Sequence, residues 1–473
     1  MMPALAAVLA AGTCVAPAPA APPALTPSDT LSFGPFGAVH LYRPPETSAP
    51  GPVVLFVSGD GGWALGVVNM ARELAAHGAL VVGVDIVRYL ARMEQGSGCA
   101  YPAADLEALS QFVQQRLGFP AYRPPILVGF SSGATLVYAA LAQAPPTTFA
   151  GAISLGFCPD LAGTRTFCRG GGLEATRIRE AGGSALLFAP AVNRPLPWIV
   201  LQGTMDQVCQ PDSAKAFVAR VPGARVVMLP GVGHGFGVTR RWLPQLEEAV
   251  DRLAAAPPMD RAATDSAVSD LPLVEVPARG TPRRALVVMI SGDGGWASLD
   301  REVSGVLADS GLAVVGLNAL QYFWNGRTPE GTAADVSRIA RHYLAAWNQE
   351  DLILAGYSRG AEALPFVVTR LPPDLRAKLR LVALIAVEPI TSFTFHPMDW
   401  VLTVHHAGDV AVVPELEKLS GVPMLCFYGE DETGSACRQS RVASRGAVPM
   451  PGGHHVGGAY REVAWRMLRA LAH

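Results

Sequence analysis

The heptapeptide SGDGGWA is spelled twice, at residues 58–64 and again at 291–297, each time directly after an apolar run. One glycine-rich loop means little in a chain with 49 glycines. Two identical copies after similar runs imply one structural plan used twice. In the first half, PVVLFVS, ALVVGVD, PILVGF, GAISLG and PWIVLQG are short β-branched stretches, as parallel strands buried on both faces require. Helix-like stretches such as GVVNMARELAAHG and ADLEALSQFVQQRLG separate them. The second half repeats the order with ALVVMIS, LAVVGLN, DLILAGY, LVALIAVE and VPMLCFYG. The alternation predicts an α/β fold built from two tandem domains, each a mostly parallel, doubly wound sheet. A length of 473 residues, half of them apolar and 16% charged, suits two globular cores. The expected divisions are an N-terminal domain over 23–255, a linker over 256–270 and a C-terminal domain over 271–473, with LPLVEV opening the last.

A G-x-S-x-G pentapeptide follows the third of these strands in each half: GFSSG around Ser131 and GYSRG around Ser358. A serine on a sharp strand-to-helix turn exposes its hydroxyl, and its crowded neighbours must be glycines. The helix start behind it favours negative charge where an oxyanion forms. Such a serine needs a histidine to take its proton and a carboxylate to orient the histidine. Both halves supply these in the α/β-hydrolase order of serine, acid, histidine. Ser131 is followed by Asp206 and His234, and Ser358 by Asp431 and His454. Each acid follows a strand ending in glycine, and each histidine follows a Pro-Gly turn. The two halves therefore read as tandem α/β-hydrolase domains. Two alternatives stay open: Glu432 for Asp431, because Asp206 also stands three residues after its glycine, and His455 for His454. The SGDGGW loop is then expected to bring one oxyanion-hole N–H, at Asp293 or Gly294 in the second half. The other comes from the residue after the nucleophile, Arg359 or Ser132. The loop lacks the Gly-Lys-Ser/Thr ending of a phosphate-binding P-loop. Trp63 and Trp296 are expected to pack into the core.

A substrate wall is expected between the last two of the second-half strands, in PITSFTFHPMDW. It holds Phe393, Phe395, His396 and Trp400, with Glu388, Asp399 and Asp409 nearby. Glu362, one turn into the helix after Ser358, joins the candidates. Aromatic walls with carboxylates suit an apolar body with a cationic head. Arg359 is a candidate for a phosphate contact or for a surface ion pair.

Residues 1–22 read as an export signal, with an apolar stretch followed by Ala-x-Ala steps. No later run approaches the roughly 18 apolar residues that cross a bilayer. The six later cysteines then suit disulfides, with Cys426–Cys437 and Cys158–Cys168 as trial pairings. None has zinc-site spacing, and no metal or organic cofactor is expected. A net charge of −2 with no long basic block argues against a nucleic-acid surface.

SGDGGW in both halves, GYSRGAEALPF, SFTFHPMDW, YGEDETGSAC and PGGHHVGG together resemble the AcvB/VirJ family of bacterial periplasmic proteins. The resemblance spans nearly all of the chain after the export signal. It implies a soluble periplasmic hydrolase, acting at the inner-membrane surface, that removes lysine from lysyl-phosphatidylglycerol with Ser358 as nucleophile. It also implies an association with type IV secretion components and virulence. The expected partner is thus a membrane phospholipid with a cationic aminoacyl head group. A carboxylesterase or thioesterase of other substrate, and a non-catalytic binding or chaperone protein, are the competing readings.

Overall fold

The structure, a computed structural model, describes residues 29–45, 51–96, 98–180, 183–255, 267–396 and 408–471. The expected export signal, most of the expected linker and Trp400 lie outside them.

The first half forms an eight-stranded sheet. In spatial order its strands are Asp29–Phe33, Gly37–Tyr42, Leu80–Val84, Val53–Val57, Ile126–Phe130, Gly151–Leu155, Trp198–Gly203 and Arg225–Leu229. The first two run antiparallel, and the other six are parallel. The second half forms a seven-stranded sheet: Leu273–Val276, Ala313–Leu317, Ala285–Ile290, Asp351–Tyr357, Leu379–Ile385, Met424–Gly429 and Ala447–Met450. Only its first strand is antiparallel. In both sheets the strand after the SGDGGW loop swaps places with its predecessor, as in the α/β-hydrolase fold.

All ten apolar runs become strands, because each buries side chains on both faces; Val53–Val57, Leu80–Val84 and Ala313–Leu317 are buried throughout. Helices Leu65–Ala76 and Leu243–Ala255 cover one face of the first sheet, and Pro102–Arg116 and Ser132–Gln143 the other. In the second, Ser298–Asp309 and Tyr460–Ala470 oppose Pro329–Ala346 and Arg359–Thr369. Sequence reasoning missed the edge strands Asp29–Phe33, Arg225–Leu229 and Ala447–Met450, and Gly37–Tyr42 beside the first of them. It also missed a small three-stranded antiparallel sheet within Asp160–Phe188.

The duplicated loop is built alike in both copies. The hydroxyl of Ser58 accepts the N–H of Ile86 at 3.0 Å, and that of Ser291 accepts the N–H of Ala319 at 2.9 Å. Each serine thus ties the loop to the end of the neighbouring strand. The loop's tryptophan lies over a glycine of that strand: a Cβ at Gly83 would come within 2.1 Å of Trp63, and one at Gly316 within 2.2 Å of Trp296. Gly316→Ala is therefore expected to destabilise the second half by about 1–3 kcal/mol through overpacking, read as a lowered urea midpoint.

Disulfides join Cys99 to Cys168, Cys158 to Cys209 and Cys426 to Cys437. The Cys158–Cys168 pairing is therefore corrected. Cys168 is drawn to Cys99 by its N–H bond to the carbonyl of Ala100, whereas Cys158 leaves its strand beside the Asp206 loop.

The two halves pack directly on each other. Trp324 and Asn325 donate to the carbonyls of Phe119 and Pro120, each at 2.8 Å, and Gln115 donates to the carbonyl of Phe395 at 2.8 Å. Tyr122 packs against Trp324.

Candidate active site

Ser358 sits between the strand Asp351–Tyr357 and the helix Arg359–Thr369, at φ 49° and ψ −120°. This left-handed backbone aims its hydroxyl out of the sheet. The glycines on either side are required by space: a Cβ at Gly356 would meet the backbone of Gly360 at 2.5 Å, and one at Gly360 the carbonyl of Ile290 at 2.1 Å. Nε2 of His454 lies 2.9 Å from the Ser358 hydroxyl, and its Nδ1 lies 2.8 Å from Oε1 of Glu432. The other Glu432 oxygen accepts the N–H of Gly429 at 2.9 Å.

The acid is thus Glu432, and the expectation of Asp431 is corrected. A tight turn, closed by the Glu432 N–H on the carbonyl of Gly429, points the third residue after the glycine back toward the histidine. Asp431 is left exposed. Asp206 uses the same turn on Gly203. His455 turns away, its Nδ1 at 2.8 Å from the Tyr357 hydroxyl.

Burial disfavours the His454 imidazolium, but the hydrogen bond and charge of Glu432, with help from Glu388 and Glu362, outweigh it and raise its pKa above 6.5. Burial also opposes ionisation of Glu432, yet the bonds from His454 and Gly429 hold its pKa below the usual value. A histidine that must be neutral to accept a proton then gives activity that falls on the acid side. The acid limb of kcat/KM is expected above pH 6.5 and should move down in Glu432→Gln, where only the charges of Glu388 and Glu362 still oppose burial. A pH profile of ester cleavage checks both.

The SGDGGW loop lies against the nucleophile: a Cβ at Gly292 would stand 3.4 Å from Cβ of Ser358. Asp293 and Gly294 of this loop line the same cavity as Ser358. Arg359 takes the ion-pair role, but in a largely buried pair and not on the surface. Its Nε and one terminal nitrogen donate to the two oxygens of Asp293, each at 3.0 Å, and its other terminal nitrogen donates to the carbonyl of Ser392. The guanidinium therefore clamps the loop to the nucleophile helix and is not presented to a phosphate.

A cavity of about 1040 Å³ opens over Ser358 and His454. Its carboxylates include Glu107, Asp293, Asp300, Glu362, Glu388 and Asp409, and Arg359 is its one lysine or arginine among the described residues. Glu107, Gln111 and Tyr101 come from the first half, a contribution with no local signal in the sequence. Burial pushes Glu362 up to about 7, against the nearby Arg359 charge and a hydrogen bond from Thr391. Burial alone pushes Glu107 up to about 8.

Phe393, Phe395 and His396 do not line this cavity, which corrects their expected role. Phe393 packs edge-on against Phe323 and Phe366, and Phe395 stacks on Trp324 at the junction between the halves. These aromatics supply core.

The first half holds a matching constellation. Ser131, at φ 56°, lies 2.9 Å from Nε2 of His234, whose Nδ1 lies 2.9 Å from Asp206. Asp206 is buried, and it also accepts the N–H groups of Val208 and Cys209 and the amide of Gln202.

A family described as "Bacterial virulence protein (VirJ)" matches residues 52–154 and 284–473. No curated protein matches the chain in sequence. Similar solved structures include the serine hydrolase XC6422 from Xanthomonas campestris, at 22% identity and TM-score 0.32, covering 50% of this chain and 99% of that one. An α/β serine hydrolase homologue from Coxiella burnetii stands at 20% identity and TM-score 0.32, covering 49% and 99%. The esterase domain of a Rhodothermus marinus protein stands at 18% and 0.31, covering 48% and 96%.

Proposed function

The chain belongs to the VirJ family of bacterial virulence proteins, and we propose that its second half is a serine hydrolase that cleaves the aminoacyl ester of lysyl-phosphatidylglycerol. Ser358 attacks the ester carbonyl while His454 takes its proton, and Glu432 holds the imidazolium that forms. Backbone N–H groups of the SGDGGW loop and of Arg359 receive the oxyanion. Collapse expels the phosphatidylglycerol hydroxyl, which takes the proton from His454. Water, activated by the same histidine, then releases lysine from Ser358. The site of action is the periplasmic face of the inner membrane, and components of a type IV secretion system are proposed partners.

The observation that carries this reading is the excess of carboxylates around the nucleophile. A cavity walled by Glu362, Glu388 and Asp409, with its one guanidinium already paired, favours a cationic acyl group and disfavours an anionic one. Glu107 and Glu362 strengthen the point: burial holds both back from ionising, and a bound ammonium would draw them into the charged form.

The test is release of free lysine from vesicles containing lysyl-phosphatidylglycerol, by the wild-type protein beside Ser358→Ala. Release by the wild type alone supports the reading. Cleavage of lysine p-nitrophenyl ester that is lost in Ser358→Ala, without lysine release from vesicles, would overturn the lipid substrate and keep the hydrolase. Because Glu107 reaches the cavity from the first half, Glu107→Gln is expected to lower kcat/KM for a lysine p-nitrophenyl ester by about tenfold. The norleucine ester, which keeps the four side-chain carbons and lacks the ammonium, should change by less than about twofold. One lost ion pair of roughly 1.4 kcal/mol corresponds to that factor.

A further inference from the structure

We infer that Ser131, His234 and Asp206 form a second, independent hydrolase site in the first half, selective for esters of uncharged acyl groups. The family match in this half ends at residue 154, before both the acid and the histidine. Those two residues are nevertheless in place, with 2.9 Å on each side of the imidazole. Asp206 is held by three donors besides its histidine, and the Cys158–Cys209 disulfide ties its loop to the end of the neighbouring strand. Burying a carboxylate is costly unless it is fully bonded, and here the bonds orient it on His234.

The difference in substrate follows from matching the halves position by position. The nucleophile N–H bonds to Leu155 in one half and to Ile385 in the other, so Cys158 stands where the second half has Glu388, each followed by proline. One turn beyond the nucleophile, Thr135 stands in place of Glu362. Thr135 donates its hydroxyl to the carbonyl of Cys158, and Cys158 is in a disulfide. The two carboxylates that assist Glu432 at His454 are therefore replaced by uncharged, occupied groups. His455 is replaced by Gly235, and the next residue, Phe236, packs edge-on against Phe130, which itself lies 5.6 Å from the His234 ring. Met205 and Val208, flanking the acid, are 63% and 65% exposed, so two apolar side chains near the triad are open to solvent.

In the reaction, the Ser131 oxygen bonds to the acyl carbon and its proton passes to His234. The C–O bond to the alcohol breaks, and the departing alcohol takes that proton. Water then cleaves the acyl-serine to the free acid.

The test uses the full chain, with Ser131→Ala and Ser358→Ala as variants. The probes are p-nitrophenyl butyrate, lysine p-nitrophenyl ester and an uncharged fluorophosphonate read by peptide mass. Ser131→Ala is expected to lower butyrate hydrolysis about 100-fold and to leave label on Ser358 only. Ser358→Ala is expected to leave label on Ser131 and to prefer butyrate to the lysine ester by at least about tenfold. Butyrate hydrolysis that depends on Ser358 alone, or absence of a Ser131 adduct in the wild type, would overturn the second site. Equal rates on the two esters in Ser358→Ala would overturn its substrate class. Failure of lysine release from vesicles with the Ser131 adduct present counts against the lipid reading alone.

Discussion

Alanine at Ser358 and glutamine at Glu432 are each expected to lower kcat for lysine-ester cleavage by about a thousandfold or more, while Asp431→Asn stays within about twofold. The serine change removes the nucleophile. The glutamine change leaves the turn on Gly429 intact and nearly isosteric, but its amide no longer carries the charge that steadies the imidazolium. An amide also accepts or donates differently at Nδ1, so His454 can be held in the wrong tautomer. Asp431 has no such consequence, since its side chain faces water. Steady-state rates, with circular dichroism to check folding, separate these cases. Loss in Asp431→Asn equal to that in Glu432→Gln would mean that the acid turn rearranges when substrate binds.

The same turn shows where sequence reasoning succeeds and where it stops. The ten apolar runs are legible because a parallel strand buried on both faces has little choice of residue. The serines and histidines are legible because glycines must crowd around them, as Gly356 and Gly360 do. Neighbouring acids are harder, because which of Asp431 and Glu432 faces inward depends on one backbone bond. The count of residues from Gly203 to Asp206 was the available signal, and it favoured Glu432. Phe393 and Phe395 misled for a different reason. An aromatic beside the expected wall segment has the same composition whether it lines a pocket or seals a junction. Only the packing of Trp324 on Phe395 decides it. Glu107 could not be assigned at all, since its position depends on how the two halves meet. Edge strands such as Ala447–Met450 are short and partly exposed, so they lack the apolar run that marks the central ones.

Removing the guanidinium in Arg359→Ala is expected to destabilise the protein by about 3–5 kcal/mol and to lower kcat more than it changes KM. The Arg359 side chain is only 5% exposed and that of Asp293 21%, so truncation strands a largely buried carboxylate and the carbonyl of Ser392. Lysine at this position should recover less than half of the stability, because one ammonium cannot reach both Asp293 oxygens and the Ser392 carbonyl in the planar geometry that the guanidinium fits. The kinetic effect has a separate cause. Asp293 belongs to the loop whose backbone approaches Ser358, and loosening it misplaces an oxyanion donor that matters in the transition state more than in the bound ester. The first half has no equivalent clamp, since Ser132 replaces the arginine and Asp60 is exposed. Its loop relies on Ser58 and on the packing of Trp63 over Gly83. Urea denaturation with the lysine-ester kinetics reads both effects. An unchanged midpoint with unchanged kcat would show that Ser291 and the packing of Trp296 over Gly316 suffice to hold the oxyanion loop in the second half, as Ser58 and Trp63 do in the first.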